Sequence, residues 1–216
     1  MRDSIYLPKP FDDKNPEHAQ LLMREHPLAI LFSTSSLGEP LVSHLPLKCE
    51  LASEPDAPWV LWGHFARINP QVAALQSHPK ALVVFNGPQA YMSPSVYPDV
   101  VRVPTWSYLT LHVQGEVEFL DEPQTKDQLL KQLIAEHEAS YAAQWRGLPE
   151  DYQQKMLSAI VGFKMRVDHR QLKMKLNQHR PEAHQAMFDQ YEKGDENAQS
   201  LARWMRRLGL VSDDAH

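Results

Sequence analysis

The sequence predicts an α+β protein in which helices flank a small antiparallel β-barrel of about six strands. The main indication is residues 107–120, where apolar and polar side chains alternate with period two over a length that suits a barrel strand. Short apolar runs bounded by prolines indicate further strands. The chain lacks the βαβ alternation of a doubly wound fold, and it contains no Gly-x-Gly-x-x-Gly motif.

Composition is that of an ordinary globular protein. The chain has 216 residues, of which 43% are hydrophobic and 23% charged, enough for one sizeable domain. No apolar run approaches the ~20 residues of a membrane span, and the N-terminus lacks an apolar signal core. We therefore expect a cytoplasmic protein that does not contact membranes. The net charge of -5 gives the chain as a whole no general attraction to nucleic acid.

The first quarter of the chain predicts a helix, a strand, a turn and a second strand. The helix should begin at Pro16, directly after a good N-cap residue, and end at His26. The apolar run 28–32 indicates a buried strand. Alternation over 41–49 indicates the second strand, in which Pro46 marks a bulge or an edge.

The next segment combines two strands with a capped helix. Residues 59–64 should be extended, and the cap-and-proline pair Asn69-Pro70 predicts a helix over 70–77. The apolar run 81–86 should form the next strand until a Gly-Pro pair breaks the chain. Residues 87–105, rich in prolines and aromatic side chains, then read as a long loop of the kind that tends to be functional.

The remaining half completes the sheet and adds helices. Residues 107–120 form the longest predicted strand, with Gly115 at a bend. Helices should begin at Pro123 and Pro149, and a final strand should cover 161–168. After residue 170 the pattern becomes helical and charged, with helices predicted over 181–191 and 195–208.

Arg67 lies just before the N-terminus of the predicted helix 70–77. Free backbone N–H groups and the helix dipole favour an anion at such a position. The planar fork of arginine suits a phosphate group. The alternative is a surface turn in which Arg67 pairs with a carboxylate, and these residues alone favour that alternative.

A basic segment, Lys173-Met-Lys-Leu-Asn-Gln-His-Arg-Pro181, is the second candidate site. It brings four basic side chains close to the amides of Asn177 and Gln178, and these are Lys173, Lys175, His179 and Arg180. Cations and amides together suit a phosphate or an electron-rich ring edge. The alternative is a solvated helix start before the proline, and spacing does not separate the two interpretations.

Other polar side chains have structural explanations beside the functional ones. His44 and Lys48 share a strand face, which either lines a ligand groove or faces water. Trp106 and Tyr108 either form a slot for a flat ring or pack in the core. The lone Cys49 excludes a disulfide framework and a multi-cysteine metal site.

Histidines and C-terminal arginines raise two further hypotheses. The eleven histidines suggest a metal or haem site, but they are scattered, and we expect no metal. The last helices, which carry Arg203, Trp204, Arg206 and Arg207, faintly resemble a helix-turn-helix. Acidic and basic side chains are nearly balanced there, which gives little phosphate affinity, so a packing or dimerisation tail is the better interpretation.

Taken in order, seven segments resemble the PaiB-type, FMN-binding negative transcriptional regulators. The resemblance runs from the N-terminus to about residue 185. The segments are Tyr6-Leu-Pro-Lys-Pro-Phe11, Ser43-His-Leu-Pro46, Gly63-His-Phe-Ala-Arg-Ile-Asn-Pro70, Tyr91-Met-Ser-Pro94, Val103-Pro-Thr-Trp-Ser-Tyr108, Ala159-Ile-Val-Gly162 and Lys175-Leu-Asn-Gln-His-Arg-Pro181.

The resemblance implies a split β-barrel related to the pyridoxamine-phosphate oxidase and flavin-reductase folds. Such proteins are usually homodimers that bind FMN in grooves at the subunit interface. Arg67 would be the main cation for the FMN phosphate, and residues 175–180 would close the site. The cofactor-binding residues implied are Ser43, His44, His64, Ala66, Arg67, Asn69, Thr105, Trp106, Lys175, Gln178 and Arg180.

We therefore expect residues 1–170 to form the FMN-binding split barrel, and residues 171–216 to add a cofactor-capping segment and a helical tail to the same unit. The implied function is negative transcriptional regulation, although DNA binding rests on the family label alone. The alternatives are a flavin-dependent oxidoreductase that uses NAD(P)H and a haem-binding relative on the same barrel. No catalytic residue is identified.

Overall fold

The structure is a computed structural model that describes residues 4–50, 58–135, 138 and 140–212. These residues form eight strands and seven α-helices. The strands are β1 (Asp12–Asp13), β2 (Leu28–Thr34), β3 (Pro40–Pro46), β4 (Lys48–Glu50), β5 (Val60–Ala66), β6 (Lys80–Met92), β7 (Thr105–Leu120) and β8 (Ile160–Lys175). The helices are α1 (Pro16–Glu25), α2 (Pro70–Ser77), α3 (Pro123–Ala135), α4 (Tyr141–Gly147), α5 (Glu150–Ser158), α6 (His184–Glu192) and α7 (Glu196–Arg207).

The strands belong to one sheet in the order β3-β2-β6-β7-β8-β5-β4, and β1 pairs with β8 off this path. The pairings β1–β8, β2–β3, β2–β6, β4–β5 and β5–β8 are antiparallel. This agrees with the predicted α+β class and its antiparallel sheet. No helix in the described part of the chain is long and apolar enough to cross a membrane.

The six predicted strands are all present, but the described sheet contains eight. Pro46 divides the predicted strand 41–49 into β3 and β4, with Leu47 between them. The other addition is β1, whose two aspartates show no apolar pattern and so gave no indication of a strand. Helix α4 was likewise not predicted.

Two strands continue beyond their predicted ends. The predicted break after Asn86 is wrong, because β6 runs on to Met92, and the loop between β6 and β7 is correspondingly shorter than predicted. The predicted helical pattern directly after residue 170 is wrong as well, because β8 runs to Lys175. Pairing of Asp12 with Lys173 and of Asp13 with Leu172 holds this segment extended, so tertiary context overrides local propensity.

The chain divides into two compact units, and their boundaries fall within α1, β6, β7 and β8. Unit 1 comprises Met1–Ala19, Asn86–Leu111 and Gln171–His216. Unit 2 comprises Gln20–Phe85 and His112–Arg170. The predicted boundary at residue 170 coincides with one of these divisions, but the continuous domain 1–170 stays a prediction.

Each unit has its own apolar core. In unit 2, Phe65 packs against Phe163 with ring centroids 4.9 Å apart, and both side chains are fully buried. In unit 1, α6 packs on α7 through fully buried Trp204 and Tyr191. The Tyr191 hydroxyl donates a hydrogen bond of 2.7 Å to Ser107 Oγ, so its polar end is satisfied inside the core.

Gly115 lies where β7 passes close to the backbone of the neighbouring β8. A Cβ atom at this position would lie 1.9 Å from the backbone oxygen of Arg166. Backbone atoms cannot move aside as a flexible side chain can, so only glycine fits here. The close approach explains why a long strand contains a glycine.

We expect Gly115→Ala to lower the free energy of unfolding by about 2 kcal/mol or more, because the methyl group forces β7 and β8 apart. Urea unfolding followed by circular dichroism measures the change. The control is Gly147→Ala at the end of α4, where a Cβ meets nothing within 4 Å and a change within about 0.5 kcal/mol is expected. Equal midpoints for the two variants would contradict this account of Gly115.

Candidate functional site

The corner between β5 and α2 is built as the sequence predicts. Asn69 is the N-cap of α2, since its Oδ1 accepts a hydrogen bond of 2.9 Å from the backbone N–H of Gln71. Its Nδ2 donates to Ser43 Oγ on β3 at 2.9 Å. The structure therefore brings Ser43 and Asn69 together. The neighbouring His44 lies on the opposite, exposed face of β3.

Gln71 fixes the start of α2 against the sheet. Its side chain is buried, and its Nε2 lies 3.2 and 3.0 Å from the backbone oxygens of Leu31 and Leu41. The same nitrogen lies 3.0 Å from Ser33 Oγ. Three acceptors on β2 and β3 thus hold the helix tip in one place.

The guanidinium group of Arg67 is hydrogen-bonded to other residues of the same chain. Its Nη1 and Nη2 donate to the two carboxylate oxygens of Asp121 at 2.9 and 2.5 Å. Its Nε donates to the Ser158 oxygen at 2.8 Å, and Nη2 also donates to the Ile160 oxygen at 2.9 Å. These bonds use four of the five N–H donors of the guanidinium. The contacts are those of an ion-paired surface turn, and the role of Arg67 as phosphate ligand stays a prediction.

Asp121 is shared by a second cation, Lys126. The Lys126 side chain is buried, and its Nζ lies 2.9 Å from Asp121 Oδ1. Hydrogen bonds from Arg67 and Lys126 hold the pKa of the Asp121 carboxyl well below its usual range. The carboxylate thus stays ionised and keeps both cations in place, and a net positive charge remains on the three groups.

Strand β5 directs Trp62, His64 and Ala66 to one face and the buried Leu61 and Phe65 to the other. Trp62 Nε1 and His64 Nδ1 are buried, and neither has a hydrogen-bond partner among the described residues. Burial lowers the pKa of His64, so its imidazole is neutral at pH 7. A buried polar atom without a partner is costly, and a ligand that bonds to it recovers that cost.

In unit 1, Lys175 contacts two other residues of the cofactor-binding set that the resemblance implies. Its Nζ donates to Thr105 Oγ1 at 2.5 Å and to the backbone oxygen of Trp106 at 2.8 Å. Burial lowers the pKa of Lys175, against the opposing effect of Tyr108, and the charge of Lys173 lowers it further. The indole of Trp106 is half exposed and meets the Tyr91 ring edge-on at 6.2 Å.

The turn after β8 uses Gln178 internally. Asn177 has a φ of 62°, the left-handed conformation that asparagine tolerates better than most residues. Gln178 Oε1 accepts from the Leu176 N–H at 3.0 Å, and its Nε2 donates to the Met174 oxygen at 2.5 Å. Gln178 therefore shapes the turn. Arg180 is partly exposed, with its Nη1 3.9 Å from a carboxylate oxygen of Glu182.

Lys173 and Tyr108 lie close to Lys175, although the cofactor-binding set implied by the resemblance does not include them. Lys173 is only 6% exposed, and its Nζ lies 5.4 Å from the centroid of the Tyr108 ring. Alternation of Leu172, Met174 and Leu176 with the two lysines indicates a strand in retrospect. The charged composition after residue 170 obscured that pattern.

The C-terminal arginines that suggested a helix-turn-helix make packing contacts. Arg206 lies over the Phe188 ring at 4.5 Å and pairs with Glu192 at 2.8 Å. Arg207 lies over the Trp204 ring at 4.6 Å. These contacts favour the packing interpretation of α6 and α7. In the described part of the chain, no three His, Cys, Asp or Glu side chains are grouped to hold a metal ion.

Comparison with known proteins identifies the family. Residues 5–169 match a family model described as "Putative FMN-binding domain". The chain belongs to this FMN-binding family. The predicted resemblance to PaiB-type proteins is confirmed by a curated relative, "Protease synthase and sporulation protein PAI 2" of Bacillus subtilis. That protein is 31% identical over 204 residues, which cover 93% of this chain and 96% of the relative.

Two solved structures have a fold similar to that of this FMN-binding family member. The flavocytochrome Anf3 from Azotobacter vinelandii has a TM-score of 0.61 at 12% identity, covering 80% of this chain and 74% of its own. The FAD and heme binding protein from Mycobacterium smegmatis has a TM-score of 0.58 at 17% identity, covering 76% and 73%. At these identities the likeness concerns the fold alone.

FMN is the cofactor of this family, and the residues present fit it. The flavin ring presents nitrogen and oxygen acceptors, and the phosphate is an anion. Unit 2 offers the unbonded nitrogens of Trp62 and His64. Unit 1 offers the ammonium groups of Lys173 and Lys175. Each unit therefore carries polar groups of a kind that a flavin nucleotide can use.

We expect Asp121→Asn to lower the free energy of unfolding at pH 7 by about 1–2 kcal/mol, because it leaves buried Lys126 without its carboxylate. The control is Glu118→Gln, which breaks the more exposed pair with Lys164 and should cost under about 1 kcal/mol.

The same variant tests the acid dependence of stability. Since the pKa of folded Asp121 is depressed, its contribution is present above the unfolded pKa of about 3.9 and is lost as pH falls below it. The free energy of unfolding, measured at intervals from pH 7 to pH 3, should therefore decrease less for Asp121→Asn than for the unsubstituted protein. Parallel curves would show that the ion pair contributes nothing.

Proposed function

We propose that this chain is an FMN-binding split-barrel protein that works as a cytoplasmic homodimer in a regulatory role. Family membership over residues 5–169 supports the cofactor. The antiparallel sheet with flanking helices, together with the likeness to flavin-binding structures, supports the split barrel. The name of the Bacillus subtilis relative, a protease synthase and sporulation protein, supports a regulatory role.

The observation that carries the proposal is the match of the family along most of the chain, combined with buried nitrogen atoms that lack partners. Trp62 Nε1 and His64 Nδ1 supply two such atoms on one face of β5. When bound, FMN supplies one- and two-electron redox chemistry. The residues of the chain bind the cofactor, orient it and set the charge around it.

The regulatory role proposed here does not require the chain to read DNA. Arg206 and Arg207 lie over aromatic rings of α6 and α7, and Arg206 is paired with Glu192. The net charge of -5 gives no general attraction to phosphate backbones. Occupancy or redox state of the flavin is the quantity that we propose the protein reports.

The absorption spectrum of the freshly purified protein, followed by titration with FMN, tests the proposal. We expect flavin absorption or saturable quenching of FMN fluorescence, and a particle of twice the 24.8 kDa chain mass. Steady-state NAD(P)H oxidation with added FMN separates the alternatives, because turnover favours an oxidoreductase. A haemin titration tests the remaining alternative, a haem-binding protein on the same barrel. Failure to bind FMN under any condition would remove the proposal.

We expect Arg67→Ala to change FMN affinity by less than about threefold while lowering stability, because the guanidinium is occupied by Asp121. Fluorescence titration and urea unfolding measure the two effects separately. A matched control is Arg166→Ala, which removes the same charge from an exposed position on β8. A loss of tenfold or more in FMN affinity with Arg67→Ala alone would instead assign Arg67 to the phosphate, as the family resemblance implies.

A further inference from the structure

Lys173 is a buried cation in unusual surroundings. Lys173 is 6% exposed, and lysine is almost never buried unless it is paired with an opposite charge. Its Nζ donates to the backbone oxygen of Tyr6 at 2.8 Å and lies 5.5 and 5.4 Å from the ring centroids of Tyr6 and Tyr108. These contacts replace some of its lost hydration, but they bring no negative charge.

A second ammonium group lies on the same face of β8. Lys175, two residues further along, has its Nζ 5.8 Å from the Tyr108 ring. The two like charges lie beside the same ring and repel each other, and burial together with the charge of Lys173 lowers the pKa of Lys175. An anion bound beside the two ammonium groups would offset this repulsion.

No described carboxylate forms an ion pair with either lysine. Asp12 lies opposite Lys173 in the β1–β8 register; its Oδ2 pairs with Lys14 at 2.8 Å, and its Oδ1 is buried without a hydrogen-bond partner among the described residues. Asp13 pairs with His18 at 3.0 Å. Lys175 therefore lacks an ion-pair partner among the described residues, and a partly buried cation without such a partner favours binding of an anion.

Hydrogen-bond donors are available beside the two charges. Lys175 uses two of its three N–H groups, on Thr105 Oγ1 and on the Trp106 oxygen, so one remains. Thr105 Oγ1 accepts the bond from Lys175, which leaves the hydroxyl hydrogen free to donate. An N–H and an O–H donor therefore lie side by side, with a second cation behind them.

We propose that Lys175 and Thr105 bind a phosphate group, and that buried Lys173 is a positioning residue that strengthens the site through its charge. If the bound group is the phosphate of FMN, this inference rests on the proposed function. Free phosphate has the same chemistry. Arg67, the cation that the family resemblance assigns to this task, has its charge engaged by Asp121.

The first experiment uses inorganic phosphate and the full chain. Isothermal titration should show binding that Lys175→Met weakens by about tenfold or more, the usual effect of losing one charge-assisted hydrogen bond. The control is Lys164→Met, which removes the same charge from an ion-paired lysine of unit 2 and should stay within about twofold. Equal losses in both variants would show a general charge effect and overturn the site.

A second variant tests the positioning role of Lys173. Lys173→Met should weaken phosphate binding and also raise the pKa of Lys175, because the neighbouring charge that lowers it is gone. The Lys175 ammonium resonance, followed by NMR through a pH titration, reports this shift. If Lys173→Met does not fold, Lys173→Gln removes the charge but keeps a donor for the Tyr6 oxygen, and the same two effects are expected. An unshifted Lys175 pKa in a folded Lys173→Met variant would overturn the positioning role.

The second experiment compares FMN with riboflavin, which lacks the phosphate. The ratio of their dissociation constants isolates the contribution of that group. Lys175→Met should bring the ratio close to one, whereas Lys164→Met should leave it unchanged. An unchanged ratio in Lys175→Met, with FMN still bound, would overturn the inference and leave the proposed function intact. Phosphate binding through Lys175 without any flavin binding would do the reverse.

Discussion

The antiparallel pairing of β1 with the end of β8 is the constraint on which the candidate phosphate site depends. It keeps residues 171–175 extended, so Lys173 and Lys175 fall on one face instead of spiralling around a helix. It also carries the N-terminal segment across β8, where the Tyr6 oxygen reaches the Lys173 ammonium group. A two-residue strand with no apolar pattern thus determines where one buried and one partly buried charge lie.

The elements with strong local patterns were predictable from the sequence, and those that depend on distant partners were not. Helix α2 begins and ends as predicted, because Asn69, Pro70 and the proline after His78 act within a few residues of each other. The end of β8 was predicted wrongly, because its partner strand lies about 160 residues earlier in the chain. Long side chains such as those of Gln171 and Lys173 are helix formers unless tertiary pairing intervenes.

The candidate site shows the same division. The sequence identified the cap, the basic segment and the Thr105-Trp106 corner, and the structure does join Lys175 to that corner. It did not reveal that Asp121 would face Arg67, because the two residues are 54 positions apart and lie in different elements. A carboxylate at that distance carries no periodicity that points to its partner. The sequence left the ion-paired alternative open but did not name the carboxylate.

The two candidate phosphate positions are Arg67 and the pair Lys173 and Lys175. They differ mainly in whether a carboxylate of the chain already neutralises the positive charge. An arginine is by itself the better phosphate ligand, because its planar fork can donate two parallel hydrogen bonds. Here that fork already holds a carboxylate, and a phosphate would have to displace Asp121 from both Arg67 and Lys126. Lys173 and Lys175 require no such exchange. An anion bound beside them offsets repulsion that the folded chain already carries, so binding there is favoured by the same charges that make the empty arrangement costly.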